Sequence, residues 1–318
     1  MKIIICGATG FIGRHLVRFF AAQGNELVVV CRNQEKARKL FAPSAICLPW
    51  RMHDPSPWLE QLNDADALIN LIGENIFARL WTPSYKDKLL RSRIEAVETI
   101  YQAFRAVKTR RCIYLQASAV GYYGHTRQAV VDEHAPKGDD FLAHLAYQWE
   151  RASEPIADLG IRRILLRFGV ILGPDGGAFA RLRPIYRWFL GGTLGKGTQG
   201  LPWMHIRDVQ EAIRFLLVHE STGGVFNFVA PQAISQKEFS AALAAAVGRP
   251  APWKIPAFLV KLLFGEMGQC LLLNGQYVKP ASLLALGYSF RFAELALALH
   301  DLVRESHRPR YFPENENI

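Results

Sequence analysis

The chain has 318 residues, 50% hydrophobic and 21% charged, and its 38 Lys and Arg against 28 Asp and Glu give a formal charge of +10. That composition excludes disordered, collagenous and disulfide-stapled classes, and the length allows one large or two intertwined domains around a full core. The five cysteines, at 6, 31, 47, 112 and 270, form no C-x-x-C pair, which points to a reducing compartment. The sequence opens on an apolar strand pattern in place of a signal peptide. The most apolar later stretch, residues 258–273, is broken by Lys261 and Glu266 and is too short to span a bilayer. The expectation is a cytoplasmic protein without a membrane partner. Most of the positive excess falls in residues 1–50 and 151–200. Apart from Arg110-Arg111 and Arg181-x-Arg183 there is no basic run of the kind that grips nucleic acid, so no nucleic-acid partner is expected. A homodimer stays open.

In chain order, apolar β-branched runs alternate with amphipathic stretches. The pattern predicts a strand over 2–6, a helix over 11–23 stopped by Gly24, a strand over 27–31 and a helix over 35–40. Strands follow over 67–71, 112–116 and 164–168, separated by helical stretches at 84–106 and 140–159. Such alternation implies an α/β fold with a doubly wound parallel sheet, the Rossmann architecture. Beyond Phe168 come Gly-rich loops at 173–177 and 191–197, with helices near 179–190, 208–219 and 236–247. The last is announced by a capping box, Ser235 to Glu238. Residues 225–228 read as a strand returning to the main sheet. The expected organisation is a nucleotide-binding domain over 1–170, joined by 203–230, and a smaller, mostly helical substrate domain from 171–202 and 231–304. The polar tail, 305–318, is expected to be mobile.

Gly7-Ala-Thr-Gly10-Phe-Ile-Gly13 follows the first strand and opens the first helix, the context a dinucleotide fingerprint requires. Gly7 permits the tight turn, Gly10 lets a pyrophosphate approach the backbone at the helix N-terminus, and Gly13 allows close helix–strand packing. Where an NAD-specific site would carry Asp or Glu, the second strand ends in Cys31-Arg32. Arginine suits a 2′-phosphate, so NADP (NADPH) is favoured over NAD; the alternative is a surface arginine on a turn. Glu74, after Asn70-Leu71-Ile-Gly73, is either a site carboxylate or a solvated loop end. Arg93 is either a cofactor ligand or part of a solvated helix face. The strand near residue 116 runs into Ser118, Tyr122 and Tyr123, a hydroxyl and two phenols at the carboxyl edge where a nicotinamide would lie. His205 reads as a structural histidine beside a helix cap.

Together these segments resemble the extended and atypical branch of the short-chain dehydrogenase/reductase superfamily, and more closely the YfcH-type epimerase-family proteins with their characteristic C-terminal domain. The resemblance runs over residues 1–303, through GATGFIG at 7–13, NLIGE at 70–74, SAVGYYG at 118–124, LLRFGVILGPDGG at 165–177 and PWMHIRDV at 202–209. It implies a Rossmann-like domain holding NAD(P), usually NADPH, with a small C-terminal domain closing a substrate cleft. By motif it implies Gly7, Thr9, Gly10, Phe11, Ile12, Gly13, Arg32, Leu71, Glu74 and Arg93 as cofactor-lining positions.

The departure is at the chemistry. Relatives that transfer hydride place a Tyr-x-x-x-Lys pair on the helix after the serine, the lysine lowering the phenol pKa. With Glu150 matched to the glutamate that follows that pair, its positions fall on Leu142 and Ala146, which cannot titrate. Tyr147 and Arg151 are out of that register and read as surface and packing residues. Ser118 with Tyr122 or Tyr123 is the substitute expected to do the work. The leading expectation is an NADP-dependent oxidoreductase or epimerase-like enzyme acting on a small molecule at a carbonyl or alcohol carbon. The alternative is an NADP-binding regulatory or partner-binding module that has lost catalysis. No metal site is expected: the histidines are dispersed, the Gly-Lys-Gly-Thr at 195–198 has the wrong spacing for a phosphate loop, and Ser118 lacks a hydrolase elbow. Arg181, Arg183, Arg187 and Lys196 have no assigned partner, and an anionic substrate is the natural candidate.

Overall fold

In the computed structural model, residues 1–108, 111–127, 129–219 and 222–306 are described. The expected alternation gives β1 (Lys2–Cys6), α1 (Phe11–Ala22), β2 (Glu26–Cys31), α2 (Gln34–Phe41), β3 (Ile46–Pro49), β4 (Ala67–Asn70), α3 (Pro83–Ala106), β5 (Ile113–Ala119), α4 (Phe141–Ala152) and β6 (Arg163–Phe168). The seventh strand, β7 (Gly224–Phe228), pairs with β6, so the run at 225–228 does return to the main sheet. All seven strands are parallel, in the order β3-β2-β1-β4-β5-β6-β7. Helices cover both faces, which is why Ile3–Ile5 and Val28–Val30 are continuous apolar runs, fully buried, with no polar alternation. The order reverses between β1 and β4, opening a crevice at their carboxyl ends. Gly24 follows α1 at φ +75, the left-handed conformation that stops a helix.

Several bounds differ from expectation for identifiable reasons. β3 was not anticipated: its four residues include an exposed Ile46 and end in Pro49, too short and mixed for a strand signal. β5 runs to Ala119, so Ser118 lies inside the strand rather than past it. The helix expected over 179–190 is α5 (Gly177–Arg187), ended by the left-handed Phe189 at φ 61.

The remaining helices are α6 (Ile206–Val218), α7 (Gln236–Val247), α8 (Ala257–Gly268) and α9 (Leu295–Glu305). Leu172, Phe179, Trp203, Phe239, Leu243 and Leu299 form a second core beside the main one. Short parallel pairings also occur here, 170–173 with 203–205 and 192–194 with 253–255, while 130–131 with 277–278 ties this region back to the sheet domain. The capping box at Ser235 and Glu238 forms in both directions. Residues 307–318 of the expected mobile tail, and Arg110, lie outside the described residues.

His205 caps α6, its Nδ1 accepting from the Arg207 N–H at 3.1 Å while its ring packs 4.0 Å from that of Phe292. It is fully buried, and although its Nε2 lies 3.5 Å from Asp301 Oδ2, burial together with the charges of Arg207 and Arg291 pulls the imidazole pKa down to about 3. The native state therefore holds His205 neutral where the unfolded chain protonates it. Its contribution is complete above the unfolded value near 6.5 and is lost as pH falls from there toward 3. Stability should drop by about 2 kcal/mol more between pH 7 and pH 5 than in His205→Asn, which keeps a capping acceptor without the titration. Urea unfolding at the two pH values reads this; equal drops in both proteins would refute it.

Candidate functional site

The crevice between β1 and β4 is built by close backbone approach. The Leu71 N–H donates to the Cys6 carbonyl at 2.9 Å. Gly7 sits at φ +80, and a Cβ there would lie 2.9 Å from the Leu71 carbonyl carbon; a Cβ on Gly13 would lie 2.5 Å from the Ala8 Cα. These two positions therefore require glycine. α1 begins at Gly10 with no side-chain cap and no acidic residue in its first turn. Its first N–H groups are left for an external anion. Thr9 and Ile12 flank this turn, each partly buried. The cradle fits the pyrophosphate of a dinucleotide.

Phe11 packs against the main core. Its ring meets the 173–177 loop, where Cβ atoms on Gly173, Gly176 or Gly177 would collide with it, and it packs edge-on against His15 at 5.3 Å. His15 Nε2 in turn lies 2.7 Å from Asp175 Oδ1. Arg32, one residue past β2, is exposed and makes no hydrogen bond or ion pair with the described residues. No carboxylate occupies the β2 end, which suits a phosphate rather than a bare ribose.

Arg93 is not on a solvated helix face. It is buried, donating from Nη1 to the Leu89 carbonyl at 2.8 Å and from Nη2 to the Glu74 carbonyl at 3.1 Å, with its guanidinium 4.9 Å from the Trp149 ring centre. Burial lowers its pKa to about 10, so it stays cationic at neutral pH. A Cβ on Gly73 would sit 3.1 Å from the guanidinium, so Arg93 and the chain after β4 form one wall. The Glu74 N–H donates to Ser92 Oγ at 3.1 Å, and its carboxylate pairs with Lys88 at 3.3 Å.

At the carboxyl edge of β5 lies a buried polar network. Ser118 Oγ donates to Glu150 Oε1 at 2.6 Å. Arg167 grips the same carboxylate with two hydrogen bonds of 2.8 Å, from Nε to Oε1 and from Nη2 to Oε2. Its Nη1 donates to the Tyr123 hydroxyl at 2.9 Å, and that hydroxyl donates to Asn227 Oδ1 at 2.7 Å. Burial alone would lower the Arg167 pKa, but the hydrogen bonds and charge of Glu150 more than reverse this. Burial pushes the Tyr123 phenol up to about 12 against the opposing pull of Arg167, so it remains a neutral donor at physiological pH. Tyr122 differs: it is partly exposed, its ring lies 3.5 Å from the Arg167 guanidinium, and its hydroxyl has no hydrogen-bond partner among the described residues.

Sequence reasoning missed Arg167 and Asn227 and used Glu150 only to set a register. A signal for Arg167 was present: an arginine inside Ile164–Phe168, a strand covered on both faces, demands a buried partner. Leu142 packs its Cβ toward Gly121 and Ala146 is buried, so the two positions that the match at Glu150 would give to a Tyr and a Lys hold packing residues. Tyr147 and Arg151 touch at 3.4 Å on the surface, as expected. Among the described residues no group of His, Cys, Asp and Glu could hold a metal, and no helix is long and apolar enough to cross a membrane.

Arg167→Met should destabilise the protein by about 3–5 kcal/mol, because it strands the buried Glu150 carboxylate. Combined with Glu150→Leu, the loss should be smaller than for Arg167→Met alone. Denaturant unfolding of the single and double variants tests this, and simple additivity would contradict it.

Residues 3–228 match the model of the NAD dependent epimerase/dehydratase family, and residues 255–302 match a domain of unknown function, DUF1731. Epimerase family protein YfhF of Bacillus subtilis is 33% identical over 306 residues, covering 96% of this chain and 99% of the relative. A chloroplastic SDR39U1 homolog of Arabidopsis thaliana is 34% identical over 306 residues, covering 96% of this chain and 87% of its own. Among solved structures, human epimerase family protein SDR39U1 (isoform 2), crystallised with NADPH, is similar with a TM-score of 0.82 at 32% identity, over 96% of this chain and 99% of that one. UDP-glucose 4-epimerase of Thermotoga maritima shares the fold, with a TM-score of 0.77 at 16% identity over 96% of this chain and 98% of that one. The chain belongs to the NAD dependent epimerase/dehydratase family, in the group that carries the DUF1731 domain at its C-terminal end.

Proposed function

We propose that the protein binds NADPH and acts as an oxidoreductase or epimerase-like enzyme on a small molecule bearing an alcohol or carbonyl carbon. The observation that carries this reading is the Tyr122 phenol, uncommitted and partly exposed, with the Arg167 guanidinium 3.5 Å from its ring. That guanidinium comes from β6 and stacks on the face of the ring, holding the phenol in place. Gly7, Thr9, Gly10, Ile12 and Gly13 would hold the pyrophosphate, Arg32 the 2′-phosphate, and Leu71, Glu74 and Arg93 the wall beside it, with Phe11 clamping the turn from behind. When bound, the nucleotide supplies or accepts a hydride.

The chain's own residues then divide the remaining tasks. Tyr122 meets the substrate oxygen and moves its proton. Ser118 has already committed its hydroxyl proton to Glu150, so what it offers a ligand is lone pairs, which suit a substrate hydroxyl. Tyr123, fixed between Arg167 and Asn227, positions Arg167 under Tyr122 rather than exchanging protons itself. The filled Tyr and Lys positions at Leu142 and Ala146 favour a second reading, a nucleotide-binding module without turnover. The two part in one assay: the enzyme oxidises NADPH when a responsive carbonyl compound is added, and the module does not.

Tyr122→Phe should lower that turnover by about 100-fold or more while leaving NADPH affinity unchanged, whereas Tyr123→Phe should cost less than about tenfold. Retained activity in Tyr122→Phe would overturn the assignment. In binding titrations NADPH should outcompete NADH, and Arg32→Ala should remove about tenfold or more of that preference. Equal affinity for the two nucleotides in the unmodified protein would refute the role of Arg32.

A further inference from the structure

Arg181, Arg187 and Lys196 fall on a surface whose other property is exposed apolar area. Segments 177–197 and 249–265 together carry seven Lys and Arg and no Asp or Glu. They are joined in space: strand 192–194 pairs with 253–255, and Trp253 Nε1 donates to the Phe189 carbonyl at 2.6 Å. Next to this ribbon, Trp188 is 77% and Leu190 61% exposed at the end of α5. α8 continues directly from it and buries only Val260, Met267 and Gly268, leaving Phe258, Leu262 and Leu263 outward, Leu262 at 78% exposure. Arg187, Lys196, Arg249, Lys254 and Lys261 are exposed among these side chains. The acidic residue that follows, Glu266, is paired with Lys86 of α3.

A contiguous face of Trp, Phe and Leu this large is unusual on a protein surface without a partner. Its charge selects among partners. A second copy of the chain would set seven cations against seven, a like-charge arrangement that opposes a symmetric dimer through this face. A soluble polyanion would match the charge and leave Leu262 and Trp188 in water. An anionic lipid surface answers both: headgroups meet the Lys and Arg, and Trp, Phe and Leu enter the boundary with the acyl chains. We propose that α8, the 192–194/253–255 ribbon and the end of α5 form a docking surface for an anionic membrane. α8 lies in the interface rather than across it, which is compatible with the absence of a membrane-crossing helix among the described residues. This departs from the expectation of no membrane partner, which rested on the absence of a spanning stretch and did not weigh an interfacial helix.

Co-sedimentation of the full chain with vesicles tests the proposal. Binding should be strong to phosphatidylcholine vesicles containing phosphatidylglycerol, weak to phosphatidylcholine alone, and reduced by added salt. Removing a cation should weaken binding roughly fivefold, so Lys254→Glu with Lys261→Glu should weaken it by more than about tenfold. Leu262→Ser with Trp188→Ser should abolish it while unfolding and NADPH affinity stay unchanged, since both side chains stand in solvent. Failure to bind anionic vesicles, or equal binding to neutral ones, overturns the proposal. So does a stable dimer in size-exclusion chromatography that Leu262→Ser converts to monomer, since the face would then belong to a second copy.

Discussion

The ion pair of Arg167 and Glu150 is the constraint around which the sheet's carboxyl edge is arranged. Both groups are buried, and isolated charges in such a place cost several kcal/mol each, so the pair persists only if its remaining hydrogen-bonding capacity is filled. Ser118 fills one place on the carboxylate and Tyr123 accepts from the guanidinium. One interaction thus fixes α4 against β5 and β6 and locates the turn that carries Tyr122 and Tyr123. Asn227 extends the network to β7 and, through its Nδ2 donation to the Lys279 carbonyl at 3.1 Å, into the C-terminal region.

The C-terminal region reaches the crevice by a second route. Phe11, in the first turn of α1, is enclosed by the glycines of the 173–177 loop, and His15 is held by Asp175 from the same loop. The helix whose N-terminus is proposed to receive the pyrophosphate is therefore braced by residues far along the chain. The glycine turn and the polar network are two stations along one sheet edge, the first tied to the 173–177 loop through Phe11 and His15 and the second to the Lys279 carbonyl through Asn227.

Much of the sheet was legible because parallel strands buried on both faces announce themselves as unbroken apolar runs, as at Ile3–Cys6 and Leu27–Cys31. The Gly7–Gly13 turn was legible because only glycine fits backbones this close. β3 escaped because four residues ending in proline carry too little pattern, and the short pairings of the smaller core escaped because two or three residues carry none. Arg93 read as ambiguous because a helix face does not say which side is covered. The polar network was the least legible part. Its members come from α4, β5, β6, β7 and the turn after β5, and only the fold brings them within hydrogen-bonding reach, although Arg167 in an apolar strand was a sign that some acid had to meet it.

The central claim is that the glycine turn, Arg32 and the Ser118–Tyr123 edge belong to one nucleotide site. Amide hydrogen exchange with and without NADPH tests it most directly. The account predicts that NADPH slows exchange together in residues 7–13, around Arg32, in 71–74 and in 118–124. Protection confined to the turn and Arg32, with 118–124 unchanged, would contradict it, because the nucleotide would then stop short of the side chains assigned to the chemistry.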